Sequence, residues 1–195
     1  ENMSNIESYK TYLNGKYLCD NHRTKSDIND GIKLYKNALE QDEHLLDAIC
    51  GIIWSNMRYN LLESIEYNNK LKKYLDENSS IKDYEKYLSK FHEFDGWIKE
   101  IQTSIHNVYN DEKKGFSVAR KSFKKALNLA RKNEWMNLER SYIHDIARTY
   151  LDDARFLNKK SYYGKHDEYA LESLKLADLL SDGDHEMTWS NLASS

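Results

Sequence analysis

Proline is absent from all 195 residues, and only seven glycines and two cysteines are present. Turns and strand edges draw on proline, so its absence disfavours an architecture rich in both. Runs of alternating β-branched residues are missing as well, and abundant Lys, Glu, Leu and Asn point to helices joined by short polar turns. The chain is read as all-α. No apolar run approaches the ~18 residues of a membrane span, and no signal peptide is visible. Cys19 and Cys50 lie far apart, fit no metal or redox spacing, and fall within helical apolar patterns. Buried free thiols in a reducing compartment are expected, hence a cytoplasmic location. The net charge of −3 excludes neither sign of partner.

What is present is helical periodicity. Nine helices are expected, over about residues 5–21, 26–41, 43–58, 61–77, 80–110, 114–132, 134–157 and 168–181, with a ninth capped by Asp184. Ser26 is the expected N-cap of the second helix, and Ser79 or Ser80 that of the fifth. The glycine of "FDGW" could split the fifth helix at Asp95-Gly96. The stretch "NKKSYYGKHD" is read as a loop, with Tyr162-Tyr163 packing back on the seventh helix. Connections this short make neighbouring helices antiparallel hairpins.

A spacing recurs on these helices. Gly31 is followed four residues later by Tyr35 and then by Ala38-Leu39. Ala119 is followed by Phe123 and then Ala126-Leu127, and Ala170 by Leu174 and then Ala177. Positions four and seven apart share a helix face. Small residues there let a neighbouring helix approach, while the bulky one fills its groove. Partner helices carry a second spacing, with Ile143, Ile146-Ala147 and Tyr150 in the seventh, and Gly15 followed by Leu18 in the first. Ala48 and Gly51 are the small residues of the third.

At these residues the sequence resembles the tetratricopeptide repeat family. That family's first helix reads aromatic–xx–Leu-Gly–xx–Tyr and its second Ala–xxx–Phe–xx–Ala-Leu, followed by proline. "GIKLYKNALEQDE" fits the second helix, with Glu43 where the proline usually stands. The match covers roughly residues 8–58 and 116–195, and residues 61–112 are degenerate. The opening "YLNGKYLCDNHRTKSDINDGIKLYKNALEQDEHLLDAICG" is similar to the first repeat of regions attached to bacterial nucleotide cyclases, kinases and winged-helix activators. The resemblance implies one solenoid of helical hairpins, an α-α superhelix over residues 1–195. Because the chain opens at Glu1, it is expected to be a segment of a longer protein.

The same resemblance implies a concave groove lined by the first helix of each hairpin. Side chains that are neither spacers nor fillers would point into it. These are Tyr12 and Lys16, Trp54 and Arg58, and His144 and Arg148. Tyr, Trp and Arg dominate interface energetics, and Arg suits carboxylates. The expected activity is non-catalytic binding of a peptide or protein partner, acidic in character. The alternative is a regulatory region of a signalling enzyme or activator that binds a small anionic ligand or its own effector domain. The family's carboxylate clamp uses Asn where Lys16 and Trp54 stand here, so that form of recognition is not expected.

Residues 113–132 hold eight basic residues and no acid, against 21 basic residues and all 32 acids elsewhere. Nucleic acid is one reading. The simpler one is an outer helix compensated in space by acidic neighbours, and it is preferred. "HEFD" at His92 lacks a second His at helical spacing. "DGDHE" near His185 lacks a calcium loop's ligand rhythm. No phosphate cradle, nucleophile–base pair or ligand set emerges, so neither a cofactor nor an enzymatic role is expected.

Overall fold

A computed structural model describes residues 3–105, 116–157 and 160–180. Those residues form eight helices and no strand, which makes the chain all-α. They are α1 (Met3–Asp20), α2 (Lys25–Gln41), α3 (Leu46–Asn56), α4 (Leu61–Glu77), α5 (Tyr84–Ile105), α6 (Ser117–Lys132), α7 (Met136–Leu157) and α8 (Lys160–Leu180). The chain divides into two compact units, Glu1–Phe94 and Asp95–Ser195, and the division falls within α5. In each unit consecutive helices pack pairwise, the arrangement from which an α-α superhelix is built. The ninth helix expected from Asp184 lies outside the described residues.

In the first unit α2 begins one residue after Thr24, not after Ser26. The Thr24 hydroxyl accepts from the Asp27 amide at 3.2 Å, and the Asp27 carboxylate accepts from the Thr24 and Arg23 amides at 2.9 Å each. This reciprocal capping box satisfies N–H groups that the first turn would leave orphaned, and it outcompetes Ser26 for the cap. Asp42 closes α2 by donating its N–H to the Ala38 carbonyl at 2.9 Å, and its carboxylate takes the His44 amide at 3.0 Å. Asn60 caps α4 through the Glu63 amide.

The small residues do what their spacing predicts. A Cβ added at Gly15 would stand 2.8 Å from the Gly31 carbonyl oxygen, and one added at Gly31 would stand 2.9 Å from the Gly15 carbonyl oxygen. The α1 and α2 backbones therefore touch at this crossing. Tyr35 of α2 is 3% exposed, and its ring lies against both Gly15 and Gly51. Ala38, Ala48 and Ile52 complete that core, all fully buried.

The second unit repeats the device. Phe123 of α6 is buried against Gly96 of α5, where a Cβ would meet its ring at 2.6 Å, and Trp97 stands edge-on to it at 6.1 Å. Ala119, Ala126, Leu127, Ile143 and Ile146 form the surrounding core. Gly96 thus sits inside a continuous helix and does not split it, because the site of its missing Cβ is occupied by a neighbour's ring.

Two further boundaries differ from the sequence reading. Helix α5 starts at Tyr84, after Asp83 in the left-handed region at φ 61°, so neither Ser79 nor Ser80 caps it. Helix α8 starts at Lys160, so most of "NKKSYYGKHD" is helical. Tyr162 lies 6.0 Å from Tyr150 of α7, and Tyr169 stacks on the same ring at 5.6 Å. This aromatic packing holds the segment helical across Gly164. Of the pair Tyr162-Tyr163 expected to pack back on the seventh helix, Tyr162 does so, whereas Tyr163 is exposed.

Arg120, only 7% exposed, ties α6 to α7. It pairs with Asp153 at 2.5 Å, donates to the Thr149 carbonyl at 2.9 Å, and lies 4.1 Å over the Tyr150 ring. The Phe116 amide donates to the same Asp153 carboxylate at 3.1 Å.

Candidate functional site

The six candidate residues divide between the units, Tyr12, Lys16, Trp54 and Arg58 in the first and His144 and Arg148 in the second. Each unit's face is built separately.

On the first face, Gly15 and Gly51 bring α1, α2 and α3 together over Tyr35 and fix where the exposed residues stand. Tyr12 is half-buried, 5.6 Å from the Tyr9 ring and 5.7 Å from Tyr35. Burial, then the carboxylate of Asp47 on α3, push its phenol up to about 12. From α5, Tyr87 turns to the same carboxylate. Its phenol is also held above the ordinary range, by burial first, then by Asp47 and Cys50, with a hydrogen bond to Asp47. Asp47 is therefore the focus of two tyrosines from different helices. Burial, then Asp47, push the Cys50 thiol up to about 12, so it stays protonated and unreactive near neutrality. Neither cysteine forms a disulfide.

The rest of this face points outward. Lys16 is exposed and pairs with Asp20 one turn along at 2.5 Å. Trp54 is 55% exposed, and Arg58, expected on the third helix, lies exposed in the turn after α3 ends at Asn56. The arrangement presents an indole face and cationic heads beside hydrogen-bonding phenols.

On the second face, Arg148 of α7 is engaged within the protein. Its guanidinium makes a two-pronged ion pair with Glu100 of α5 at 2.5 and 2.9 Å, reaches Asp145 at 3.4 Å, and lies 4.1 Å over the Trp97 ring. Glu100 is 7% exposed, and burial pushes its carboxyl up to about 7 despite Arg148, with Asp152 adding to the rise. Asp152 is itself held above the ordinary carboxylate range by burial, against the pull of Arg148 and Arg155. His144 lies on the solvent side of α7. Partial burial, then Arg148, Arg140 and His166, keep its imidazole below the usual value. Arg140, His144 and Arg148 recur every four residues and form a basic stripe.

Asp47, Tyr87, Trp97 and Glu100 were missed in the sequence. Asp47 could have been found, since it lies seven residues before Trp54 on one face of α3. Glu100 meets its partner 48 residues away, which no local spacing discloses.

Two of the eight basic residues of the run over 113–132 meet acidic partners, and a third lies over aromatic rings. Arg120 holds Asp153, Arg131 holds Glu139 at 2.8 Å and also pairs with Glu172, and Lys124 lies over the Tyr150 and Tyr169 rings. Among the described residues no group of three or more His, Cys, Asp or Glu is placed to hold a metal ion. No helix among them is long and apolar enough to cross a membrane. The chain matches no protein-family model, no curated protein and no solved structure.

Proposed function

We propose that the chain is a tetratricopeptide-type interaction module that binds a peptide or protein partner without catalysis. The observation that carries this reading is the outward face of α3. Trp54 stands exposed on it and Arg58 exposed in the turn that follows it, while Ile49, Ile52 and Ile53 of the helix are buried. An exposed indole on a helix otherwise committed to the core, with a guanidinium just past the helix end, is the composition of an interface anchor. The likeness of the opening repeat to those of bacterial signalling proteins extends the proposal to a regulatory region acting in the cytoplasm. Two thiols that form no disulfide support that location.

Affinity capture with the wild type and with a Trp54→Ala/Arg58→Ala variant tests the reading. Both positions are exposed, so the variant is expected to fold as the wild type does and to lose partners that the wild type retains. An identical set of captured proteins would refute it.

A further inference from the structure

Helix α1 is apolar on the side away from its own core. Ser8 and Gly15 are buried on the inner side, and Gly15 lies against α2. On the opposite side Ile6, Tyr9, Leu13 and Tyr17 are 50%, 46%, 44% and 67% exposed. Steps of three, four and four residues keep these side chains in one row along the helix. No other described helix leaves more than two large hydrophobic side chains exposed. Together the four leave on the order of 400 Å² uncovered, the size of an interaction patch and more than scattered surface hydrophobes need.

The row is also complementary to its own reverse. Aliphatic and aromatic side chains alternate along it, in the order Ile6, Tyr9, Leu13, Tyr17. Consider an antiparallel copy of α1, related by a two-fold axis at the level of Thr11. Ile6 then meets Tyr17 of the second copy, and Tyr9 meets its Leu13, with both contacts repeated by symmetry. Every tyrosine ring lies on an aliphatic side chain, which is the self-complementarity that a two-fold interface requires. Tyr9 is already steadied 5.6 Å from the Tyr12 ring, so covering it costs little freedom.

The flanks carry no excess charge. Within α1, Glu7 and Asp20 balance Lys10 and Lys16, all four exposed, and Lys16 pairs with Asp20 at 2.5 Å. Such a rim neither repels a like copy nor draws the row to an anionic lipid surface. Two rows with their polar rims would bury on the order of 1,000 Å², the lower bound for a specific interface, so a reversible, micromolar pair is expected.

We propose that the Ile6–Tyr9–Leu13–Tyr17 face of α1 is a homodimer interface, seating the same face of a second copy of this chain in antiparallel register. This goes beyond the partner-binding reading and involves neither Trp54 nor Arg58.

Sedimentation velocity of the intact chain between about 1 and 200 µM tests the interface, and monomer should convert to dimer across that range. Leu13→Glu/Tyr17→Glu alters two exposed positions, so it should keep the wild-type circular dichroism while raising the dimer dissociation constant at least about tenfold. Cross-linking reads the register. A Tyr9→Cys chain mixed with a tagged Leu13→Cys chain should form mixed disulfide dimers under copper phenanthroline. Each variant alone should form several-fold fewer, above the background that Cys19 and Cys50 give in the wild type. A chain that stays monomeric throughout overturns the interface, and its co-sedimentation with phosphatidylglycerol vesicles would assign the face to lipid. A dimer that withstands both glutamates places the contact elsewhere and equally overturns the proposal. Same-variant cross-links in excess of mixed ones overturn the antiparallel register. The partner-binding reading keeps its own separate test at Trp54 and Arg58.

Discussion

At the scale of single residues, glycine has opposite meanings at different places in this chain. Gly15 lies where the α1 backbone meets the α2 backbone, so a methyl group would press on the Gly31 carbonyl at 2.8 Å. A backbone atom cannot swing aside, and Gly15→Ala should therefore cost about 1–3 kcal/mol, the usual range for overpacking. Gly164 lies within α8 with nothing within 4 Å of the Cβ position. There the loss of backbone freedom on folding dominates, and Gly164→Ala should stabilise by up to about 1 kcal/mol. Urea unfolding of the two variants reads both signs. If Gly15→Ala were neutral, the close helix crossing would be wrong. The spacing of Gly31, Ala38, Ala48 and Gly51 was legible in the sequence because a four- or seven-residue interval is a local property of one helix. Gly96 misled because its role is set by Phe123, 27 residues away on another helix.

At the scale of helices, two ion pairs carry different consequences. Arg120 and Asp153 are both almost fully buried, and each makes a further hydrogen bond, Arg120 to the Thr149 carbonyl and Asp153 from the Phe116 amide. Arg120→Ala would leave the Asp153 charge without its partner, and a loss of about 3–5 kcal/mol is expected in denaturant unfolding. Replacing both residues together, as Arg120→Met/Asp153→Asn, should recover much of it, because no uncompensated charge then remains. The Glu100–Arg148 pair behaves otherwise, because burial raises the Glu100 carboxyl from the ordinary 4.5 to about 7. Between those values the folded chain binds a proton that the unfolded chain has lost. The contribution of Glu100 to stability is present below pH 4.5 and declines as the pH rises through about 7. Thermal unfolding of the wild type against Glu100→Gln over pH 5–8 should show this decline in the wild type alone. The same slope in both would assign it to other groups. The start of α8 escaped the sequence for a related reason. Tyr162 and Tyr169 are fixed by stacking on Tyr150 of α7, while the local composition with Gly164 resembles a turn.

At the scale of the whole molecule, the all-α class was legible in what the chain lacks, and the pairwise packing of its helices in repeated small-residue intervals. The candidate faces were legible only in part. Trp54 follows from counting around one helix, since the core positions of α3 leave it outside, whereas Arg58 falls in the turn beyond the end of α3. Asp47 and Glu100 depend on which helix lies opposite, and that information is spread over distant segments. The division between the two units falls inside α5, after Phe94, with no break in the helix. Expression fragments feel this directly. A cut at the division would sever hydrogen bonds between successive turns, leaving orphaned carbonyls on one product and orphaned amides on the other. Each product would also have to start or stop a helix without a cap at that point. Dissecting this chain into its halves therefore calls for α5 to be carried on both pieces, as an overlap instead of a junction.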